Sequence, residues 1–352
     1  MGKILILGAG TMGTALSAPL CQNKQEVNLW GTELDAEVLE TMARTGQHIQ
    51  LDVPLPEGVT LFSAAELEKA CQNVEIMVLA VTSSGIRSIM QRLVPFVKDG
   101  MIIVNAAKGL EEDSKTGNIL TMLDIIESEL PEALRGKNPM VTVGGPSIAK
   151  GVAEHVPTEV VFASRDLAAA RHCQEIFTTP VYKVQITTDV IGVGLCAALK
   201  NVFAVAMGFC DVVEGKADAR VKMHNSKAAL LLEAVVELSK IVQAMGGKEE
   251  TALGLAGIGD LYVTVLGGRT SIFGRMLGGG MSTEQALEEM KNRHQTVEAY
   301  PATKAGYKLA QMLSKNDKLD INDLPLLTQI YAVLFEGKNV EASISDYFAA
   351  PR

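Results

Sequence analysis

KILILGAGTMGTAL, residues 3–16, joins a short Ile and Leu run to a glycine-punctuated turn and then to apolar residues at helical spacing. The run closed by Gly8 reads as a strand, and TMGTALSAPLCQN reads as a helix. Between them, Gly8-Ala9-Gly10-Thr11-Met12-Gly13 fits G-x-G-x-x-G. Alone such a match is weak, but here it follows a strand directly and opens a helix, which is where its physics applies. Gly8 permits the tight turn, Gly10 lets the backbone approach a pyrophosphate, and Gly13 lets helix pack on strand. The helix N-terminus offers unpaired N–H groups and a positive dipole end to the anion. The stretch predicts a dinucleotide-binding βαβ unit.

Reading outward, strand-like runs recur as EVNLW (26–30), VEIMVLAV (74–81), MIIVNAA (101–107), PMVTVGG (139–145) and TEVVFAS (158–164), with a helix around IRSIMQRLVPFV. Apolar strands alternating with helical connections predict a doubly wound, mainly parallel sheet covered on both faces. From about Thr188 the patterns turn helical. SKAALLLEAVVELSKIVQAMGG (226–247) ends in a glycine pair, and STEQALEEMKNR opens with Ser282 and Gln285 placed as a capping box. ATKAGYKLAQML and LPLLTQIYAVLFEG add two further helices. The expected architecture is an α/β Rossmann domain over residues 1–187 and an all-α substrate-binding domain over 188–352.

Composition narrows the partners. The 352-residue chain carries 32 basic and 41 acidic side chains, a net −9, which argues against nucleic acid or an anionic membrane and leaves room only for a local basic pocket. Cys21, Cys71, Cys173, Cys196 and Cys210 lie in mostly apolar segments with no C-x-x-C pair, as expected of reduced thiols in the cytoplasm. The histidines His48, His155, His172, His224 and His294 lack metal-ligand spacing, so no metal is expected. The apolar N-terminal run is too short for a signal peptide, Ile6 rules out the myristoylation pattern, and no uncharged stretch approaches a membrane span.

Against this background several polar residues stand out. GLCAALKNVFAVAMGF (194–209) is apolar or glycine except for Lys200 and Asn201. Lys108 follows a strand in NAAKGL; Gly144, Gly145 and Pro146 make a sharp turn with Ser147 and Ala149 at its exit; Asp260 follows the glycine-rich GLAGIG, and Arg269 lies between Gly268 and Thr270. Each taken alone is explained by a snorkelling stem or a solvated loop charge. Glu33 stands about 20 residues beyond Gly13, where an acid reads a ribose 2′-hydroxyl, while neighbouring Thr32 offers a hydroxyl to a 2′-phosphate. NAD and NADP both remain open.

Taken together and in this order, GAGTMGTAL, AAKG, GGPSIAKGVA, ALKNVFAVAMGF, NSKAALL, GLAGIGDLYVT, GGR, FGRMLGGG and YAVLFEGK resemble the NAD(P)-dependent glycerol-3-phosphate dehydrogenases across nearly the whole chain. The resemblance implies a site in the cleft between a Rossmann and a helical domain, and reversible hydride transfer between sn-glycerol 3-phosphate and dihydroxyacetone phosphate. By position it makes Lys200 the general acid/base and Lys108 a ligand of both substrate and cofactor. Gly145, Ser147, Asn201, Asp260, Gly268, Arg269 and Thr270 fall with the substrate. Gly8, Gly10, Thr11, Met12, Gly13, Thr32, Glu33, Ala149, Arg269, Thr296 and Glu298 fall with NAD or NADP. It also favours a homodimer.

The residue types suit that chemistry. A ketone being reduced needs a proton for its developing alkoxide, and burial makes a lysine a usable donor and acceptor. Asp260 would hold the amine, and Arg269 offers a planar fork to a phosphate. The sequence departs from the family at Thr270, where Asn is usual, at Glu233, where many members carry Arg, in the charged segment 211–224, and after Glu298, where Ala-Tyr-Pro replaces glycine. Two alternatives follow: a related dehydrogenase of another small phosphorylated or carboxylated hydroxy compound, or a non-catalytic dinucleotide sensor.

Overall fold

The structure, a computed structural model, describes residues 2–216 and 223–350, with side chains through Asp211 and again from Met223. The chain forms two compact units. One holds everything up to Lys108 together with Leu120–Gly194; the other holds Gly109–Ile119 and everything from Leu195 on. The sequence puts the division at 187/188; the chain passes from one unit to the other a little later, inside a long helix, and an excursion of the first half joins the second unit.

The first unit is built on β1 (Lys3–Leu7), α1 (Thr11–Gln22), β2 (Val27–Trp30), α2 (Ala36–Thr45), β3 (Val59–Phe62), α3 (Leu67–Ala70), β4 (Val74–Leu79), α4 (Ile86–Leu93) and β5 (Ile102–Asn105). The excursion carries β6 (Leu110–Glu112), which pairs with β7 (Ile119–Thr121). There follow α5 (Met122–Glu129), β8 (Met140–Gly144), α6 (Ala149–Ala153), β9 (Thr158–Ala163), α7 (Leu167–Phe177) and β10 (Tyr182–Thr187). The eight-stranded sheet runs β10-β9-β8-β5-β4-β1-β2-β3. Every pairing within this eight-stranded sheet is parallel except β8 with β9.

The near-continuous apolar strands are explained by burial on both faces. Ile4 and Ile6 point into one core with Leu16 and Leu20 of α1 and Phe177 of α7; Leu5 and Leu7 point into a second with Ile86 and Met90 of α4 and Ile125 of α5. From β1 the sheet grows to β2 on one side and β4 on the other, so β1 is the point where strand order reverses and where open sheets bind ligands. Val59–Phe62 and Tyr182–Thr187, which the sequence reading left out, are the two edge strands.

The second unit is helical: α8 (Val190–Lys216, which starts in the first unit), α9 (His224–Ala244), α10 (Glu249–Leu253), a π-helical turn at Leu255–Gly259, α11 (Asp260–Val265), α12 (Arg269–Gly278), α13 (Thr283–Asn292), α14 (Ala299–Lys315), α15 (Pro325–Phe335) and α16 (Val340–Ala349). The capping box expected at Ser282 and Gln285 opens α13. Val190–Asp211 is long and apolar enough to cross a membrane, but 89% of its span-length window is buried inside the protein, so it is a core helix.

Glycines set how α12 meets α8. A Cβ on Gly208 would lie 2.9 Å from Gly274 Cα, one on Gly274 would lie 2.5 Å from the Val205 carbonyl oxygen, and one on Gly278 would lie 2.8 Å from that of Phe209. The FGRMLGGG run thus lets two backbones touch, which fixes the start of α12 relative to Lys200. On the far side, Glu237 of α9 is fully buried and accepts hydrogen bonds from the Leu326 and Leu327 amides at 2.5 and 2.8 Å, capping α15.

Candidate active site

In the first unit the predicted residues lie beyond the C-terminal ends of parallel strands. Gly8 has φ +109°, and its N–H donates to the Trp30 carbonyl at 2.8 Å, tying the loop to the end of β2. A Cβ on Gly13 would fall 1.9 Å from the Gly8 carbonyl oxygen, whereas one on Gly10 would meet nothing within 4 Å. One glycine therefore closes the turn and the other leaves open space at the head of α1. That helix has no side-chain cap and no acid in its first turn, so nothing competes with an anion at Thr11 and Met12. These features fit a dinucleotide pyrophosphate.

His48, which no sequence signal singled out, is buried beside this loop. Its Nδ1 accepts from the Gln50 and Leu51 amides at 3.1 and 3.2 Å. Burial lowers its pKa, with the Ala9 carbonyl and Asp35 pulling the other way.

Past β2, Thr32 forms a capping box with Asp35: its N–H and hydroxyl donate to Asp35 Oδ2 at 2.7 and 2.8 Å, and its Oγ1 accepts from the Leu34 amide at 3.2 Å. The Glu33 carboxylate accepts from Arg92 Nη1 at 3.1 Å. A backbone hydrogen bond and then Arg92 hold this carboxyl below the usual range.

Lys108 lies just past β5, at the turn organised by buried Asn105, whose side chain donates to the Ala107 carbonyl at 2.9 Å and accepts from the Ala107 amide at 3.2 Å. Asn105 is a positioning residue that the sequence reading treated as part of a strand. Just past the neighbouring strand β8, Gly145 has φ +104°, and a Cβ there would press to 3.2 Å on Val160 Cα. Ser147 follows with a buried hydroxyl, and Ala149 opens α6.

In the second unit Lys200 is 7% exposed and Asp260 1%, and Lys200 Nζ donates to Asp260 Oδ1. Asp260 reaches it through the π-helical turn, where a Cβ on Gly257 would fall 1.8 Å from the Ala252 carbonyl oxygen. The glycine-rich GLAGIG is thus what allows the tight entry into α11 that carries the acid inside. Around Lys200 on α8 stand Ala197, Ala198 and Ala204, all buried.

Beside this pair the other predicted residues form one chain of hydrogen bonds. Asn201 Nδ2 donates to Glu298 Oε2 at 3.1 Å, and Thr270 Oγ1 donates to Asn201 Oδ1 at 3.3 Å. Arg269 Nη2 donates to Glu298 Oε1 at 3.1 Å and Nη1 to Thr296 Oγ1 at 2.5 Å. Gly268, at φ +89°, is the N-cap of α12, so Arg269 and Thr270 are its first residues and their amides head the helix. The Thr270 hydroxyl is engaged with Asn201, while its backbone N–H lies in the first turn of α12.

The departures from the family pattern also find partners. Glu233 accepts from the Tyr347 hydroxyl of α16 at 3.3 Å. Ala299-Tyr300-Pro301 forms the first turn of α14, where proline needs no N–H partner, and Tyr300 stacks on Phe335 with centroids 4.7 Å apart. Asp211 pairs with Lys227 and, at 3.4 Å, with Arg275; residues 217–222 of the charged segment lie outside the described residues.

With this geometry in place, comparison with known proteins is unambiguous. Residues 3–170 match the model of the NAD-dependent glycerol-3-phosphate dehydrogenase N-terminus, and 189–345 that of the C-terminus. The chain is 38% identical over 339 residues to an NADP(+)-dependent glycerol-3-phosphate dehydrogenase of Archaeoglobus fulgidus, covering 96% of each chain. It is 36% identical over 350 residues to a glycerol-3-phosphate dehydrogenase [NAD(P)+] of Fusobacterium nucleatum, covering 98% of this chain and 96% of that one. The crystal structure of glycerol-3-phosphate dehydrogenase from Coxiella burnetii superposes with a TM-score of 0.83 at 27% identity, covering 99% of both chains. The chain belongs to the NAD-dependent glycerol-3-phosphate dehydrogenase family.

Proposed function

We propose that this chain interconverts sn-glycerol 3-phosphate and dihydroxyacetone phosphate with NAD(P), and that Lys200 is its proton-transfer group. The observation that carries the reading is the buried Lys200–Asp260 pair, set in an otherwise apolar helix and adjoining an arginine at a helix N-terminus. A structural ion pair gains little from such burial, whereas an acid/base group needs it.

When bound, the nicotinamide supplies the hydride to C2 or receives it. The chain's own part is the proton. In reduction the Lys200 ammonium gives a proton from Nζ to the oxygen on C2 as charge develops there; in oxidation the amine takes that proton back. Asp260 holds Nζ in place throughout. Arg269, steadied by Glu298 and Thr296, keeps further N–H donors on its fork for the phosphate, and the α12 amides at Arg269 and Thr270 add to it. Asn201 orients Glu298 and Thr270 from the lysine's own helix.

Within the first unit, Gly8, Gly10, Thr11, Met12, Gly13, Thr32, Glu33 and Ala149 take the cofactor. Lys108, Gly145 and Ser147 stand at the strand ends for the substrate. The enzyme works in the cytoplasm as a homodimer, with neither nucleic acid nor membrane as partner.

The test is the absorbance of NADH or NADPH on adding dihydroxyacetone phosphate, beside a small 2-oxo carboxylate. Oxidation with dihydroxyacetone phosphate, and far less with the carboxylate, is expected. Preference for the carboxylate would move the substrate class, and no oxidation despite cofactor binding would leave the sensor reading.

A further inference from the structure

The end of β2 carries a device that the family's cofactor chemistry does not by itself explain. Arg92, from α4, lies with its guanidinium carbon 4.8 Å from the centroid of the Trp30 ring. Trp30 is fully buried as the last residue of β2, so the platform under the guanidinium is immobile. Arg92 Nη2 donates to the Ala64 carbonyl at 3.2 Å, and Nη1 donates to Glu33 at 3.1 Å. The guanidinium is thus pinned on one side by stacking and on another by a backbone oxygen.

Its remaining partner is held loosely. The Glu33 side chain is 69% exposed and that of Arg92 32%, and an ion pair this accessible adds little stability and exchanges readily. Thr32, the other polar residue at this turn, has its N–H and its hydroxyl committed to the Asp35 capping box. Glu33 and Arg92 therefore supply the adaptable charge here, one of each sign. The glycine loop tied to Trp30 fixes where a cofactor's pyrophosphate lies, and the turn after β2 is where the adenosine ribose of such a cofactor arrives.

We propose that the Arg92–Glu33 pair selects between the two nicotinamide cofactors: Arg92 leaves Glu33 to fork onto the 2′-phosphate of NADP(H), and Glu33 accepts from the ribose 2′-hydroxyl of NAD(H). The arginine comes from α4, far in sequence from the turn it serves. Its fork suits a phosphate dianion, and stacking on Trp30 pre-pays its orientation. Because Glu33 would face the same phosphate, it competes with NADP(H), so removing its charge strengthens that ligand while removing an acceptor for NAD(H).

The proposal rests on dinucleotide binding at the glycine loop. Its test is equilibrium titration of the whole protein with NADPH, NADH and the fragment 2′,5′-ADP, read by nucleotide fluorescence or calorimetry without turnover. Wild type should bind NADPH more tightly than NADH. Arg92→Ala should raise the Kd of NADPH and of 2′,5′-ADP by about 10–100-fold, the range of a charge-assisted contact, and that of NADH by only a few-fold. Glu33→Gln should shift the two dinucleotides in opposite directions, tightening NADPH and weakening NADH. Arg92→Lys, which keeps the charge and most of the stem, should fall between wild type and Arg92→Ala and serves if the alanine variant folds poorly. Equal weakening of NADPH and NADH by Arg92→Ala, or unchanged 2′,5′-ADP affinity, would overturn the selector while leaving the cofactor reading intact. If wild type binds neither dinucleotide, the cofactor reading falls and the selector with it.

Discussion

The glycine loop of the first unit and the Lys200 region of the second solve opposite problems. The loop makes a binding surface by removing side chains: Gly13 is there because a Cβ would strike the Gly8 carbonyl, and Gly10 leaves open space before uncapped helix amides. The Lys200 region instead buries charge and then satisfies it, with Asp260 on the ammonium and Glu298 joining Asn201 to Arg269. A backbone site of the first kind tolerates no added bulk and is indifferent to titration. A side-chain site of the second kind tolerates modest changes of shape and fails when one partner of a pair is removed.

That contrast can be broken most severely at Gly10. Gly10→Val places a branched side chain in the open space at the head of α1, and it should abolish binding of both dinucleotides while leaving the thermal midpoint close to wild type. Titration and a thermal scan on the same sample check it; retained binding would mean that the cofactor does not approach Gly10. In the side-chain site, Arg269→Ala should raise KM for dihydroxyacetone phosphate by about 10–100-fold, as expected for a charged contact to phosphate, with a smaller change in kcat. An unchanged KM would move the phosphate elsewhere.

Smaller effects probe what supports the second region. Gly274→Ala brings a Cβ to 2.5 Å from the Val205 carbonyl oxygen and should cost about 1–3 kcal/mol of stability by overpacking α12 against α8, measurable by urea unfolding. Glu237 offers the smallest and most specific test. Burial pushes its pKa up to about 8, against the pull of the Leu327 and Leu326 amides. In the folded state it therefore keeps a proton that the unfolded chain has lost, so its contribution to stability is present near the ordinary carboxyl pKa and declines as pH rises through about 8. Thermal midpoints should fall between pH 5 and 8 more steeply in wild type than in Glu237→Gln, and equal slopes would show that the group does not titrate there.

The two regions also differ in how far the sequence disclosed them. The strand, turn and helix of residues 3–22 were legible because each constraint is local: an apolar run, glycines at fixed spacing, then helical periodicity. Val59–Phe62 has no clear strand signature because it is a short, half-buried edge strand, whereas Tyr182–Thr187 carries an inside-outside alternation at its start. The antiparallel pairing of β8 with β9 has no local signature. In the site, Lys200 was conspicuous as an ammonium in an apolar run, but Asp260, Thr270 and Glu298, which bond to it or to Asn201, are 60 residues or more away in sequence, and only the resemblance ordered them beforehand. His48, Asn105 and Arg92 stayed hidden because each acts on a backbone group or a distant turn that no spacing rule reaches.

The central claim is that the buried ammonium moves the proton, and one comparison tests it most directly: kcat for dihydroxyacetone phosphate and Kd for the reduced cofactor, measured side by side in wild type and Lys200→Ala. The account predicts that kcat falls by about 10²–10⁴-fold while Kd changes by only a few-fold. Turnover surviving within a few-fold, or a loss of cofactor binding as large as the loss of turnover, would contradict it.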